Sequence, residues 1–155
     1  MHKLTTFSFL IVALVFISCD KEDYFSTFEY ENKYIAMSGT QEVPSVTTTA
    51  LGNINASYHQ ASKTLSYTIT WSGLSGNATA AHIHNVADAG VNAGVLQSFT
   101  GFPASTSGKY SGTFIVDGVK VTEANLLAGK HYVNIHTAAN PGGELRGQLI
   151  LYKRI

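Results

Sequence analysis

Apolar and polar side chains alternate along much of the chain, which is the pattern of β-strands that bury one face. The clearest case is the segment 64–71, where Leu65, Tyr67, Ile69 and Trp71 are separated by threonine and serine. We expect the apolar set to face a core and the hydroxyl set to face water. Similar runs between glycine-rich turn clusters predict strands at 33–38, 51–59, 64–71, 79–85, 95–99, 109–116, 131–137 and 144–152. This spacing predicts an all-β sandwich or barrel.

One short helix is predicted at 123–127. Thr122 precedes it as an N-cap residue, and Glu123 lies in the first turn, where a negative charge interacts favourably with the helix dipole. Gly129 follows as a natural stop. The length of the chain after its first segment predicts a single domain with one core.

The first nineteen residues have the pattern of a secretion signal. Lys3 precedes an apolar run at 7–17, which is shorter than the roughly 20 apolar residues of a transmembrane helix, and Ser18 and Cys19 follow. The end of this run resembles the lipobox of bacterial lipoproteins, although Phe16 stands where leucine is usual. The resemblance implies cleavage after residue 18 and a lipid on Cys19, which would attach the protein to a membrane.

This interpretation divides the chain into a signal peptide at 1–18, a lipidated cysteine and tether at 19–32, and a folded domain at 33–155. Lys21, Glu22 and Asp23 follow the cysteine. They resemble a signal that sends some lipoproteins to the outer face of the cell, or they form a solvated tether. We expect a lipoprotein of the bacterial cell envelope, in the outer membrane and either surface-exposed or facing inward.

Composition narrows the classes of function. Charged residues make up 13% of the chain, and ten Lys and Arg balance ten Asp and Glu, so no basic face for nucleic acid is expected. Cys19 is the only cysteine, which excludes an intramolecular disulfide. No nucleophile elbow, phosphate-binding loop or nucleotide fingerprint is present.

Histidines are the residues that could carry chemistry. His82 and His84 lie two apart on a predicted strand, so both rings share one face, and His136 ends a second strand-like run. If the two strands are neighbours, three imidazoles meet and could bind Cu(II), Zn(II) or Ni(II), with copper favoured by affinity. The alternative is a polar strand face without a metal. His59 and His131 are interpreted as surface histidines, either of which could be a fourth ligand.

Three ordered motifs resemble the CHRD domain, which was first recognised as the repeat of chordin. They are Ser38 to Pro44, the Ala81-His82-Ile83-His84 segment, and Tyr132 to Thr137 followed by Pro141 to Leu149. The CHRD domain is in turn similar to the Greek-key sandwich of copper-zinc superoxide dismutase. That resemblance implies a Greek-key β-sandwich and a copper site at His82, His84 and His136.

The resemblance also places Arg146 like the arginine that guides an anion to the copper; the alternative is a structural arginine paired with Glu144. A bridging histidine, a cluster of zinc ligands and a cysteine pair have no counterparts in the sequence. We therefore rank a copper-binding module of the cell surface or periplasm first and a non-catalytic adhesion or interaction domain second. A dismutase-like enzyme ranks last.

Overall fold

Two antiparallel β-sheets pack face to face in the computed structural model, which describes residues 28–154. The strands are β1 (Glu29–Met37), β2 (Leu51–His59), β3 (Thr64–Ser72), β4 (Ala78–His84), β5 (Val95–Ser98), β6 (Gly108–Ile115), β7 (Tyr132–Thr137), β8 (Leu145–Gln148) and β9 (Tyr152–Lys153). One sheet has the order β6-β3-β2-β1-β9 and the other β5-β4-β7-β8. The predicted all-β sandwich is confirmed.

Connections between the sheets follow a Greek-key pattern. β3 pairs with β6 and β4 pairs with β7, so the chain leaves one sheet and returns to a non-sequential neighbour. Ser38, just beyond β1, forms an isolated bridge with Arg146 of β8, which joins the two sheets at one corner. The sandwich is thus partly closed there.

The core between the sheets is built by the predicted alternation. On β3 the four apolar residues Leu65, Tyr67, Ile69 and Trp71 are buried, while the intervening side chains are exposed or half-buried. Ile83 of β4 joins the same core from the opposite sheet. Burying such a side chain stabilises the fold by about 1.5–3 kcal/mol, so the apolar residues determine which face of each strand is turned toward the core.

The predicted helix is confirmed as α1 (Glu123–Leu127). The Thr122 hydroxyl accepts a hydrogen bond from the Asn125 backbone N–H at 3.2 Å, as expected of an N-cap. Leu126 is its buried residue, and Gly129 follows with a positive φ of 68°. Within residues 28–154, no helix is long and apolar enough to cross a bilayer.

Two predicted strands differ from the observed ones by more than one residue. The first strand begins at Glu29 rather than at residue 33, so the end of the predicted tether pairs with β2. An extra residue between Asn32 and Ile35 interrupts the alternation, which concealed the start of the strand. The predicted strand at 144–152 is two strands, because β8 and β9 belong to different sheets and the chain crosses between them.

Candidate metal centre

His82, His84 and His136 come from two neighbouring strands of the four-stranded sheet. β4 and β7 are antiparallel, with Ala80 opposite His136 and His82 opposite Asn134. Their apolar residues face the core, so the histidines lie on the other face. One nitrogen of each ring lies within 4.8 Å of the others, and His82 Nδ1 is 3.0 Å from His136 Nε2. The predicted convergence of the three rings is confirmed.

Asn134 also lies among the three rings, although its residue type alone did not mark it as a site residue. Its side-chain oxygen is 2.7 Å from His84 Nε2 and 2.9 Å from His136 Nε2. The residue is 2% exposed. Asn134 lies two residues before His136, so both side chains are on the same face of the strand. That spacing was the signal in the sequence that could have identified Asn134.

Hydrogen bonds to backbone carbonyls determine which nitrogen of two rings carries the proton. His84 Nδ1 is 2.8 Å from the Ala93 oxygen, and His136 Nδ1 is 2.9 Å from the Pro141 oxygen. A carbonyl oxygen only accepts, so both Nδ1 atoms must donate. In the neutral rings each Nε2 then presents a lone pair toward Asn134. This is the arrangement in which metal-ligating histidines are usually held.

Burial favours the neutral, metal-binding form of His82 and His136. It lowers the pKa of His82 below 6.5, and the neighbouring His136 and His84 lower it further. Burial also lowers the pKa of His136. Neutral imidazole is the ligand form, so the site is prepared to bind a cation near neutral pH.

Tyr132 separates the histidines from Arg146. The Tyr132 ring stacks on His84 with centroids 4.4 Å apart and an interplanar angle of 5°. The guanidinium carbon of Arg146 lies 3.4 Å from the centre of the same ring. His84 and Arg146 belong to β4 and β8, the strands on either side of β7. They therefore flank the tyrosine from opposite sides.

Arg146 is 1% exposed, and its N–H groups donate to the side-chain oxygen of Asn92 and the backbone oxygen of Val91. The alternative pairing with Glu144 was wrong, because the Glu144 carboxylate accepts hydrogen bonds from Ser75 and Thr137 instead. Burial and stacking give Arg146 a structural position, and its anion-guiding role stays a prediction from the resemblance.

Glu42 is a buried acid near the site, and no pattern in the sequence singled it out. It is 6% exposed, and its Oε1 has no hydrogen-bond partner among the described residues. Burial raises its pKa to about 7, although the Arg146 charge opposes this. A side chain at Gly143 would collide with this carboxylate and approach Asn134, so the glycine allows the turn after β7 to pack against both.

The other predicted residues lie apart from the cluster. His59 is exposed, as expected, with Nδ1 3.1 Å from the Ser62 hydroxyl. The surface assignment of His131 was wrong, because it is 1% exposed and donates from Nδ1 to the His84 carbonyl at 3.0 Å. Neither ring joins the three histidines. Cys19 lies outside the described residues.

The comparison with protein families gives a match over most of the chain. Residues 34–149 match the family described as CHRD domain. The chain belongs to this family. The three histidines, Asn134 and Arg146 all lie within the matched part of the CHRD domain. No curated protein and no solved structure shows significant similarity to the chain.

The donor set of this CHRD domain fits a borderline transition metal ion. Imidazole nitrogen suits zinc, copper and nickel, and two of the three rings have their second nitrogen held by a backbone carbonyl. Among residues 28–154, this is the one group of three or more His, Cys, Asp or Glu side chains close enough to share an ion. His82 is only half-buried, which leaves the cluster within reach of solvent.

Proposed function

We propose that this CHRD domain is a non-catalytic module of the bacterial cell envelope that binds a transition metal ion, copper foremost, through His82, His84 and His136. The observation that carries the proposal is the convergence of three ring nitrogens within 4.8 Å on the face of the sheet turned away from the core. A chance polar face would not require two of those rings to be held by backbone carbonyls.

Copper is favoured by the chemistry of the donors. Among divalent first-row ions, affinity for nitrogen ligands is highest for Cu(II). The resemblance of the CHRD domain to copper-zinc superoxide dismutase points to the same metal. When bound, copper would supply a Lewis-acidic and redox-active centre; the protein would supply ring nitrogens in fixed orientation.

Enzymatic dismutation is not part of the proposal. Arg146 lies beneath Tyr132 with almost no exposed surface, so it is poorly placed to guide an anion to His84. No second cluster of ligands for a zinc ion is found within residues 28–154. Binding, storage or delivery of the ion fits these features better than turnover.

Stoichiometric metal analysis tests the proposal. The soluble chain from Asp20 onward keeps every described strand and the whole core, and it would be dialysed against Cu(II) and against Zn(II). We expect about one ion per chain and an axial Cu(II) resonance. His82→Ala and His136→Ala should each abolish stoichiometric binding.

The matched control is His59→Ala, because His59 is an exposed histidine on the other sheet and should leave binding unchanged. Wild-type protein that binds neither ion at micromolar concentration would refute the proposal. So would His82→Ala protein that binds as well as wild type.

Membrane attachment through Cys19 is a separate part of the proposal. It is supported by the signal-like segment at 1–18 and by the lipobox-like residues before the cysteine. We expect the full chain to incorporate labelled fatty acid and to fractionate with the outer membrane, whereas Cys19→Ser should do neither. Unlabelled, soluble wild-type protein would contradict the anchor without affecting the metal site.

An interaction module is the second candidate, and the outer face of the five-stranded sheet favours it. Asn55, Thr68 and Ser111 lie in register across β2, β3 and β6, and the Thr68 and Ser111 hydroxyls are 2.8 Å apart. This polar face is on the opposite sheet from the histidines. A partner captured equally by metal-free and metal-loaded protein, and lost on Thr68→Lys, would support this function.

A further inference from the structure

We propose that Asn134 is a ligand as well, through its side-chain oxygen, and that this oxygen makes the site selective for divalent ions over Cu(I). This inference rests on the proposed metal-binding function. It assigns a fourth donor to the site in place of His59 and His131, which lie elsewhere.

The orientation of the amide places its oxygen toward the rings. The Asn134 amide nitrogen points to the Gly142 carbonyl at 3.4 Å, and the oxygen lies between His84 Nε2 and His136 Nε2. Both rings carry their proton at Nδ1, so each Nε2 can only accept a hydrogen bond, as the Asn134 oxygen does. Three hydrogen-bond acceptors therefore face one another at this point. Such a cluster of acceptors is unfavourable without a positive charge between them, and a cation is what relieves it.

Successive donor atoms have the spacing of adjacent ligands around one ion. From His84 Nε2 to Asn134 Oδ1 the distance is 2.7 Å, from there to His136 Nε2 it is 2.9 Å, and from there to His82 Nδ1 it is 3.0 Å. Two ligands at right angles, each about 2.0–2.1 Å from an ion, have donor atoms about 2.9 Å apart. Each of the four atoms thus lies from the next at the distance expected between two adjacent ligands at right angles. Cu(II) and Ni(II) favour such right-angled ligands in tetragonal sites.

The backbone holds Asn134 in this position. It lies in the middle of β7, opposite His82 of β4 on one side and Arg146 of β8 on the other. With neighbours on both sides and 2% exposure, the side chain has little room to move away from the rings. Ligands supported in this way on paired strands are more precise than ligands on loops.

An amide oxygen changes which ions the site prefers. Oxygen is a hard donor that suits divalent ions, whereas Cu(I) favours soft sulfur ligands and gains little from a carbonyl. Asn134→Leu should weaken Cu(II) and Zn(II) binding by at least the roughly 10- to 100-fold lost when a supporting partner of a ligand is removed. Cu(I) affinity should change by less than about threefold, because the three imidazoles remain.

The experiment compares affinities in the chain from Asp20 onward by competition with chromophoric chelators for Cu(II), Zn(II) and Cu(I). Gln148→Leu is the matched control, since Gln148 is a buried amide of the same sheet that donates only to backbone carbonyls. In wild-type protein, the side-chain carbonyl carbon of Asn134 should also shift in the NMR spectrum when Zn(II) is added.

The outcomes separate this inference from the proposed function. Wild-type protein that binds no metal would overturn both. Wild-type binding with equal Cu(II) affinity in Asn134→Leu would overturn the role of Asn134 alone. If Asn134→Leu does not fold, Asn134→Asp decides, because a carboxylate oxygen should bind Cu(II) and Zn(II) at least as tightly as the amide. Weaker binding by Asn134→Asp would contradict ligation by the oxygen.

Discussion

Replacing Glu42 by glutamine should stabilise the metal-free protein, and increasingly so as the pH rises. Glu42 is 6% exposed, and one of its carboxylate oxygens has no hydrogen-bond partner among the described residues. An ionised carboxylate in such a place loses its hydration without full compensation. Glutamine has nearly the same shape and carries no charge at any pH.

The magnitude follows from the pKa. Burial raises the pKa of Glu42 from 4.5 to about 7, and the Arg146 charge only partly opposes this. Between those two pH values the folded state binds more protons than the unfolded state, so the free energy of unfolding falls as the pH rises. At about 1.4 kcal/mol per pH unit, the loss is roughly 3 kcal/mol, complete above pH 7. The glutamine of Glu42→Gln does not titrate, so this variant should not lose stability in this way as the pH rises.

Urea denaturation of both proteins at pH 4 and pH 8, in the presence of a chelator, measures this difference. The stability of Glu42→Gln relative to wild type should rise by roughly 3 kcal/mol from the lower to the higher pH. Glu29→Gln removes an exposed carboxylate and should change by less than about 1 kcal/mol. A Glu42→Gln protein that loses stability relative to wild type as the pH rises would refute the reasoning. It would mean that attraction to Arg146 outweighs the cost of burial.

Three further predictions concern Glu144, the helix cap and the pH dependence of metal binding. Burial alone would raise the pKa of Glu144, but hydrogen bonds from Ser75 and Thr137 hold it at about 2. The stability that this carboxylate contributes is therefore present above pH 4.5 and lost as the pH falls toward 2. In urea denaturation, Glu144→Gln should lower the free energy of unfolding by about 2–3 kcal/mol at pH 7 and by less at pH 3. Thr122→Ala should lower the free energy of unfolding by about 1 kcal/mol, and Thr122→Ser should restore it. Because burial lowers the pKa values of His82 and His136 below 6.5, protons compete with Cu(II) for these rings only in acid, and Cu(II) affinity in a pH titration should fall as the pH drops below 6.5.

Much of the fold could be predicted because alternation depends only on which side chains share a strand face. The pattern of β3 placed its four apolar residues in the core correctly, and the cap and stop residues defined α1. The same rule put His82 and His84 on one face with Ile83 on the other. These are local properties, and a single strand or helix determines them.

Contacts that depend on the register between strands could not be predicted in this way. Asn134 faces His82 because β4 and β7 pair with one particular offset, and a shift of one residue would turn it toward the core. Glu42 approaches the site from the segment after β1, which belongs to the other sheet. No periodicity within 38–44 indicates that its carboxylate would be buried beside Arg146.

His131 and His136 lie on opposite faces of the same segment, and both are buried. The comparison shows that the face on which a residue lies does not by itself decide whether it is exposed. His131 shares the parity of Val133 and Ile135, and it is buried with them, so the parity indicated the core and the assignment to the surface was wrong. His136 has the opposite parity and is buried as well, because all six residues of β7 are covered. A central strand whose second face is also covered must satisfy every polar group there. On β7 the side chains of Asn134 and His136 lie against each other and against the rings of His82 and His84, and the Pro141 carbonyl accepts from His136 Nδ1. The facing lone pairs of Asn134, His84 and His136 would be satisfied by a cation, so a metal site can form on this face rather than on the open Ser and Thr face of β3.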